Sequence, residues 1–107
     1  MRRGEIYRVP RPEGDTTRHR SFVLVSRQRL IDSAYSTVVC APIFTQGDAL
    51  STQVRIGPEQ GLKHESWIAC DNLRSIRKSD LTQFVGSLSG SKLAEVDEAL
   101  RVALALD

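Results

Sequence analysis

An almost uninterrupted apolar run at residues 22–26 sets the strongest limit on the fold of this chain. Five residues rich in Phe, Val and Leu predict a short strand that is buried on both faces, or nearly so. Two arginines and a histidine stand directly before it: Arg18, His19 and Arg20. Because a deeply buried strand is rigid, we expect this cationic cluster to be held in a fixed position at the entry of the strand.

Five further segments have the composition of strands and are separated by turn residues. Residues 5–9 and 52–56 alternate between apolar and polar side chains, which is typical of half-buried strands. The other three are mostly apolar: residues 36–43, 66–76 and 83–88. Pro42 cannot donate a backbone hydrogen bond, so it predicts an edge position or a bulge in its strand.

After Gly90 the apolar period lengthens to three and four residues. Leu93, Val96, Leu100 and Leu104 recur at this spacing, which predicts an amphipathic helix that packs on the sheet by one stripe. Several short strands followed by one terminal helix predict a mainly β fold, either a small curved antiparallel sheet or a barrel. At 107 residues we expect a single domain over residues 1–107.

The composition excludes several classes of protein. No apolar run approaches the ~20 residues that span a bilayer, and the N-terminus lacks the apolar segment of a signal peptide. Cys40 and Cys70 lie in predicted strands and are expected to be reduced, buried thiols of a cytoplasmic protein. No Cys or His pair has the spacing of metal ligands, so we expect neither a metal nor another cofactor.

The charge is distributed unevenly along the chain. Residues 1–29 contain eight arginines and no lysine against three acidic residues, whereas the remainder has an excess of acids. Arginine suits bidentate phosphate contacts and base stacking. A solvated basic face would have the same composition, so the asymmetry favours a polyanionic partner without establishing one.

Polar side chains occur together at three places: at the entry of one predicted strand, at the exit of another, and within a third. These groups are Arg18, His19 and Arg20; Thr45 and Gln46; and Asp71, Asn72 and Arg74. Metal-free cleavage of RNA needs a base for the 2′-hydroxyl and donors that stabilise the charged phosphorane, and these residue types can supply both. Each also has a structural explanation: a solvated arginine, a turn threonine, and an aspartate paired with Arg74. Trp67 is expected to be a core residue.

Four segments, in the right order, resemble the MazF/PemK toxins of bacterial toxin–antitoxin pairs. Residues 2–7 resemble the opening of these proteins, and residues 20–26 resemble their second-strand signature of Arg-Pro, an apolar run and Ser. Residues 37–46 are similar to their third strand with its Thr-rich exit, and residues 70–76 to the stretch Asp-Gln-Ile-Arg-Thr-Ile. The resemblance spans nearly the whole chain.

This resemblance implies an SH3-like antiparallel barrel with a C-terminal helix, which forms a homodimer. It implies a metal-independent endoribonuclease that cuts single-stranded RNA and is neutralised by a cognate antitoxin. Arg20 falls on the catalytic arginine of the family, Thr45 on the second threonine of a Thr-Thr-Gln exit, and Asp71 on an acid that acts as a base. His19 is a further candidate base. The residues then expected to bind RNA are Arg18, Ser21, Gln46, Asn72 and Arg74.

The chain also departs from the family pattern. Phe44 stands where many members carry the first threonine, and Ser21 replaces the usual proline after the arginine. Phe44 keeps open a barrel that binds RNA without cutting it. A rival of another class is a non-catalytic barrel like the CcdB toxins, which bind DNA gyrase through the C-terminal helix. The matches at Arg20 and at residues 70–76 favour the nuclease.

Overall fold

The structure is a computed structural model that describes residues 1–10 and 20–106. Within these ranges the chain forms seven strands, two α-helices and three short 3₁₀ turns. The strands are β1 (Glu5–Val9), β2 (Arg20–Leu24), β3 (Thr37–Phe44), β4 (Gln53–Ile56), β5 (Ser66–Ala69), β6 (Arg74–Arg77) and β7 (Gln83–Ser87). The helices are α1 (Gln28–Ile31) and α2 (Gly90–Ala103), and the 3₁₀ turns are Pro58–Gln60, Cys70–Asn72 and Lys78–Asp80.

The strands form one antiparallel sheet in the order β4-β5-β3-β2-β1-β7, with β6 attached to β3. The long strand β3 therefore has three partners: β2 along one side, and β6 and then β5 along the other. The mainly β architecture with a C-terminal helix is the one predicted from the sequence. None of the helices in the described ranges is long and apolar enough to cross a membrane.

Pro42 lies in the middle of the sheet rather than at an edge. On one side it is paired with Phe22 of β2. On the other side the pairing with β6 ends at Cys40, and the pairing with β5 begins at Ile43. The missing N–H of Pro42 therefore falls where β3 changes partner, so the expectation of an edge strand or a bulge was wrong.

The predicted strand at residues 66–76 is broken in two. The 3₁₀ turn Cys70–Asn72 ends β5, and the chain then turns back to pair as β6 with the first half of β3. Asp71 and Asn72 are therefore turn residues and not strand residues. This break allows β5 and β6 to share one side of β3.

Two glycines let the sheet curl toward closure. Gly61 follows the turn after β4, has a φ of +94°, and packs directly on β7. A Cβ at Gly61 would lie 2.5 Å from the carbonyl oxygen of Val85, and a Cβ at Gly86 would lie 2.0 Å from that of Gln60. Only glycine at both positions permits this approach. The two ends of the sheet thus meet through close backbone contact, which gives the half-barrel its curvature.

Two apolar clusters cover the two faces of the sheet, and the run at residues 22–26 contributes to both. Val23 and Val25 join the cluster inside the curl, whereas Phe22 and Leu24 join the cluster on the other face. All four are buried, so the prediction of a strand buried on both faces is confirmed. Full burial of such side chains contributes about 1.5–3 kcal/mol each to stability.

Helix α2 closes the inner cluster. The Ser89 hydroxyl caps its N-terminus by accepting a hydrogen bond from the backbone N–H of Lys92 (3.2 Å). Val96 and Ala99 are buried, but Leu104 is 53% exposed. Leu104 follows the last helical residue, and Ala105 has a φ of 55°. The backbone thus leaves the helical path before Leu104 reaches the sheet, and its assignment to the apolar stripe was wrong.

Both cysteines are free, buried thiols. Burial raises the pKa of Cys40 from 9.0 to about 12. Burial, with a contribution from the Asp71 carboxylate, raises the pKa of Cys70 from 9.0 to about 11. Because the thiolate is the reactive form, neither side chain can act as a nucleophile at neutral pH while the protein is folded.

We therefore expect alkylation of the cysteines to require unfolding. Iodoacetamide at pH 8 should leave the native protein unmodified and label two thiols in guanidinium, as counted by mass spectrometry. Since the pKa values are higher in the folded state, the thiols stabilise the fold below about pH 9, and this contribution is lost as the pH rises toward 11–12. Rapid labelling of either cysteine in the native protein would contradict this.

Candidate functional site

The N-terminal end of β2 and the strand β6 line one open groove, which we call the arginine groove. It has a volume of about 600 Å³. Its lining residues are Val9, Pro10, Arg20, Phe22, Arg74, Ser75, Ile76, Arg77 and Asp80. β2 and β6 flank β3 on opposite sides, so the groove crosses that strand. Three guanidinium groups around an apolar floor suit a ligand that carries phosphates and bases.

Arg20 is held over an aromatic ring. The register that pairs Phe22 with Pro42, continued by two residues, puts Arg20 opposite Phe44. The guanidinium carbon of Arg20 lies 5.4 Å from the centre of the Phe44 ring. Such a cation–π contact contributes about 0.5–1 kcal/mol at an exposed site and about 2 kcal/mol when it is desolvated. The aromatic ring thus positions the Arg20 guanidinium in the lining of the arginine groove.

Arg77 and Asp80 in the groove were missed in the sequence. Arg77 precedes the 3₁₀ turn after β6 and Asp80 ends it, and the Nε of Arg77 donates to Oδ2 of Asp80 at 3.2 Å. Asp80 brings a carboxylate into the lining of the groove that also contains Arg20. An acid three residues after an arginine was the available signal, but a short surface turn has the same pattern.

Asp71 is held away from this groove. Its carboxylate accepts a 2.6 Å hydrogen bond from the Thr52 hydroxyl, and the backbone N–H of Cys70 donates to the carbonyl of Thr52. The expected pairing of Asp71 with Arg74 is therefore replaced by a bond to Thr52. Arg74 lines the arginine groove, but Asp71 and Asn72 are absent from its lining.

Thr45 and Ser21 line a second cavity, which we call the barrel mouth. It has a volume of about 310 Å³ and lies at the open end of the curled sheet. Its lining residues are Arg8, Ser21, Ile43, Thr45, Gly61, Leu62, Lys63, His64, Ser66 and Val85. Because side chains alternate along a strand, Ser21 faces the mouth whereas Arg20 faces the arginine groove. The structure thus places Thr45 and Arg20 in different cavities.

The loop after β3 is anchored on Trp67. A Cβ at Gly47 would lie 2.2 Å from Cγ of Trp67, so the backbone of Gly47 packs directly on the indole ring. The guanidinium carbon of Arg55 lies 5.7 Å from the centre of the same ring. Trp67 is half-buried and supports the loop, and Gln46 within that loop is exposed.

Two of the predicted site residues, Arg18 and His19, lie outside the described residues. Within residues 1–10 and 20–106 there is no group of three or more His, Cys, Asp or Glu side chains that could hold a metal ion.

Comparison with known proteins gives a match along almost the whole chain. Residues 2–104 match the family model of the PemK-like, MazF-like toxins of type II toxin–antitoxin systems. The chain is 32% identical over 109 residues to the "Probable endoribonuclease MazF" of Mycolicibacterium smegmatis, covering 99% of this chain and 98% of that protein. It is 32% identical over 85 residues to "Endoribonuclease MazF3" of Mycobacterium tuberculosis, covering 79% of this chain and 82% of that protein.

Solved structures agree with the fold. The Mycobacterium tuberculosis toxin MazF-mt6 superposes with a TM-score of 0.83 at 27% identity, covering 96% of this chain and 98% of that one. An endoribonuclease from a mycobacterial species, solved in complex with its cognate antitoxin, has a TM-score of 0.83 at 24% identity. It covers 98% of this chain and 95% of its own, and at that identity it supports the fold alone.

The contact between Arg20 and Phe44 can be tested by NMR. The aliphatic Arg20 protons nearest the guanidinium should be shifted upfield by the ring current of Phe44. Phe44→Leu should abolish this shift, and Phe44→Tyr should retain it. Phe84→Leu is the matched control, because Phe84 is an exposed ring that contacts Tyr7 instead. Unchanged Arg20 resonances in Phe44→Leu would show that the ring does not hold the arginine.

Proposed function

We propose that this chain cuts single-stranded RNA, on the premise that it belongs to the PemK-like, MazF-like toxins of type II toxin–antitoxin systems. Like the relatives named "Endoribonuclease MazF3" and "Probable endoribonuclease MazF", it is an endoribonuclease. The observation that carries the proposal is the arginine groove, in which Arg20 lies over Phe44 and shares the lining with Arg74 and Arg77. The gyrase-binding alternative is not favoured, since the relatives of this chain are named as endoribonucleases.

We assign the central role in the groove to Arg20. When the 2′-hydroxyl attacks the neighbouring phosphate, negative charge develops on the phosphorane oxygens. A guanidinium scarcely loses its proton, so Arg20 acts as a donor that stabilises this charge and not as the base. Arg74 and Arg77 contact the phosphates on either side of the cut. Attack by the 2′-hydroxyl leaves a 2′,3′-cyclic phosphate and a 5′-hydroxyl.

Three side chains are candidates for the general base that removes the proton from the 2′-hydroxyl. Asp71 is engaged by Thr52 on a turn that does not line the groove. His19 precedes Arg20 directly in the sequence. Asp80 lines the groove itself, where its carboxylate lies 3.2 Å from Nε of Arg77. We therefore prefer Asp80, and we assign Asn72 and Gln46 to RNA contacts outside the groove.

The partner of this toxin is a cognate antitoxin. A groove with three arginines and one aspartate favours an acidic, extended antitoxin segment, which would compete with RNA for the same donors. We further propose that the toxin is a homodimer, that residues 1–107 act as a single domain, and that it works in the cytoplasm, where its RNA substrate is.

The first test is end-group analysis of a long, mostly unstructured RNA incubated with pure, folded protein in excess EDTA. We expect discrete fragments with 2′,3′-cyclic phosphate and 5′-hydroxyl ends. Arg20→Ala should reduce cleavage by about 10²–10³-fold, the usual effect of removing a donor to a developing oxyanion. Arg29→Ala is the matched control, because Arg29 is exposed on α1 and lies outside the groove. Intact RNA with wild-type protein would reject the nuclease, and undiminished cleavage by Arg20→Ala would reject the role of Arg20.

The base is identified by comparing Asp80→Asn with Asp71→Asn. Loss of a general base typically lowers the rate about 10²–10⁴-fold, so Asp80→Asn should do this while RNA binding is retained. The lost ion pair to Arg77 is exposed, so the fold should not suffer. Asp71→Asn should cleave at close to the wild-type rate. The opposite ranking would return the role to Asp71.

A further inference from the structure

The barrel mouth has the features of a second ligand site that the reaction at Arg20 does not use. We propose that it binds one unstacked nucleotide of the single-stranded RNA, next to the nucleotide that is cut. This inference rests on the proposed ribonuclease function, and it concerns which part of the substrate lies on the other face of β2.

The rim of the mouth is cationic. Arg8 of β1 and Lys63 and His64 of the loop before β5 line it, and none of the described lining residues is Asp or Glu. The next acid along the chain, Glu65, instead lies against Arg55 (3.0 Å) on the opposite face of β5 from Ser66. Cations without a neighbouring carboxylate favour an anionic ligand such as a phosphate.

The loop that carries Lys63 and His64 is fixed at both ends. The Ser66 hydroxyl donates to the carbonyl of His64 at 3.0 Å, next to the start of β5. At the other end Gly61 packs on the backbone of β7. The rim is therefore preorganised, which lowers the entropic cost of binding a ligand.

The floor of the barrel mouth suits a nucleobase. Ile43, Leu62 and Val85 provide apolar surface, and the hydroxyls of Ser21 and Thr45 stand beside it. An apolar pocket with a few polar groups is the usual form of a small-ligand site, and barrel mouths are a common place for one. Proteins read single-stranded RNA by hydrogen bonds to the edges of splayed-out bases and by stacking on aromatic rings.

The mouth adjoins a second hollow. This hollow is lined by Arg8, Gly61, Gln83, Phe84 and Val85, and it shares Arg8, Gly61 and Val85 with the mouth. The ring of Phe84 packs on Tyr7, on the other face of the sheet. The hollow therefore extends the cationic edge of the mouth at Arg8 and adds the Gln83 amide.

The two cavities meet at one end of the β1–β2 ladder. Val9 is paired with Arg20, and both line the arginine groove. Arg8 is paired with Ser21, and both line the barrel mouth. These pairs are consecutive rungs, about 3.4 Å apart along the strands. A phosphate at Arg20 and a nucleotide in the mouth would therefore lie at consecutive rungs of one ladder, close enough to belong to neighbouring positions of one RNA strand.

The proposal is tested with the RNA sequence that the wild-type protein cuts, made with a 2′-deoxy sugar at the cut so that it binds without being cleaved. Lys63→Met should weaken binding about tenfold and reduce the slope of log K against log salt by about 0.7, the value for one lost phosphate contact on a single strand. Arg29→Met, which removes a cation outside both cavities, should change neither quantity.

Thr45→Val tests whether the barrel mouth recognises a nucleobase. Removing a hydroxyl that contacts a base edge should relax the sequence preference at one position flanking the cut, whereas loss of a phosphate contact weakens all sequences equally. The measurement is the profile of cleavage sites on a long RNA. Thr45→Ser keeps the hydroxyl and should keep the wild-type profile.

The outcomes separate this inference from the function on which it rests. If Lys63→Met and Thr45→Val bind and cut like the wild type while Arg20→Ala is inactive, the mouth does not bind RNA and the ribonuclease stands. If Lys63→Met weakens binding of an acidic peptide but not of RNA, the mouth is a protein-binding site and the inference is wrong. If the wild-type protein neither binds nor cuts RNA, both proposals fall together.

Discussion

The pairing of β3 with three strands is the constraint on which the rest of the structure depends. β2 occupies one side of β3, and β6 and β5 divide the other side at Pro42. A proline elsewhere along a central strand would remove a ladder hydrogen bond, but here its missing donor coincides with the change of partner. The division brings β6 beside the first half of β3, so that Arg74 and Arg77 line the same groove as Arg20. The position of the arginine groove thus follows from the pairing of β3 with β2 on one side and with β6 on the other.

The alternation of side chains along a strand then decides which chemistry each face carries. Arg20 and Ser21 are neighbours in the chain, yet they line cavities on opposite faces of β2. The same holds for Phe44, which lies under Arg20, and Thr45, which lines the barrel mouth. A shift of one residue in the register of β2 would move Arg20 to the face of the barrel mouth and Ser21 to the face of the arginine groove. The buried residues Phe22 and Val23 prevent such a slip, because each belongs to a different core cluster. Core packing therefore fixes which polar groups meet.

Most of the fold could be predicted from local pattern, because apolar runs and their periods report directly on burial. The strands, apart from the break at Cys70–Asn72, and the terminal helix were predicted, and the resemblance supplied the family. The failures have one cause, which is that tertiary contact overrode the local signal. The break at Cys70–Asn72 serves the second partner of β3, and Leu104 leaves the helical path. Arg20 and Arg74 line one groove, but the faces on which Thr45 and Asp71 lie depend on a register and a turn that one sequence does not reveal.

The ring at Phe44 changes how this site can stabilise a transition state. The resemblance puts a threonine there, and a hydroxyl could donate a hydrogen bond to the phosphate. A phenyl ring cannot donate, but it holds the Arg20 guanidinium above its face, with the guanidinium carbon 5.4 Å from the ring centre. Donors that are already oriented stabilise developing charge without the cost of reorganisation during the reaction. Arg74 and Arg77 add further guanidinium donors to the same groove. We propose that orientation of Arg20 by this ring takes the place of the hydroxyl donor, and that the site thereby stays suited to the same phosphodiester chemistry.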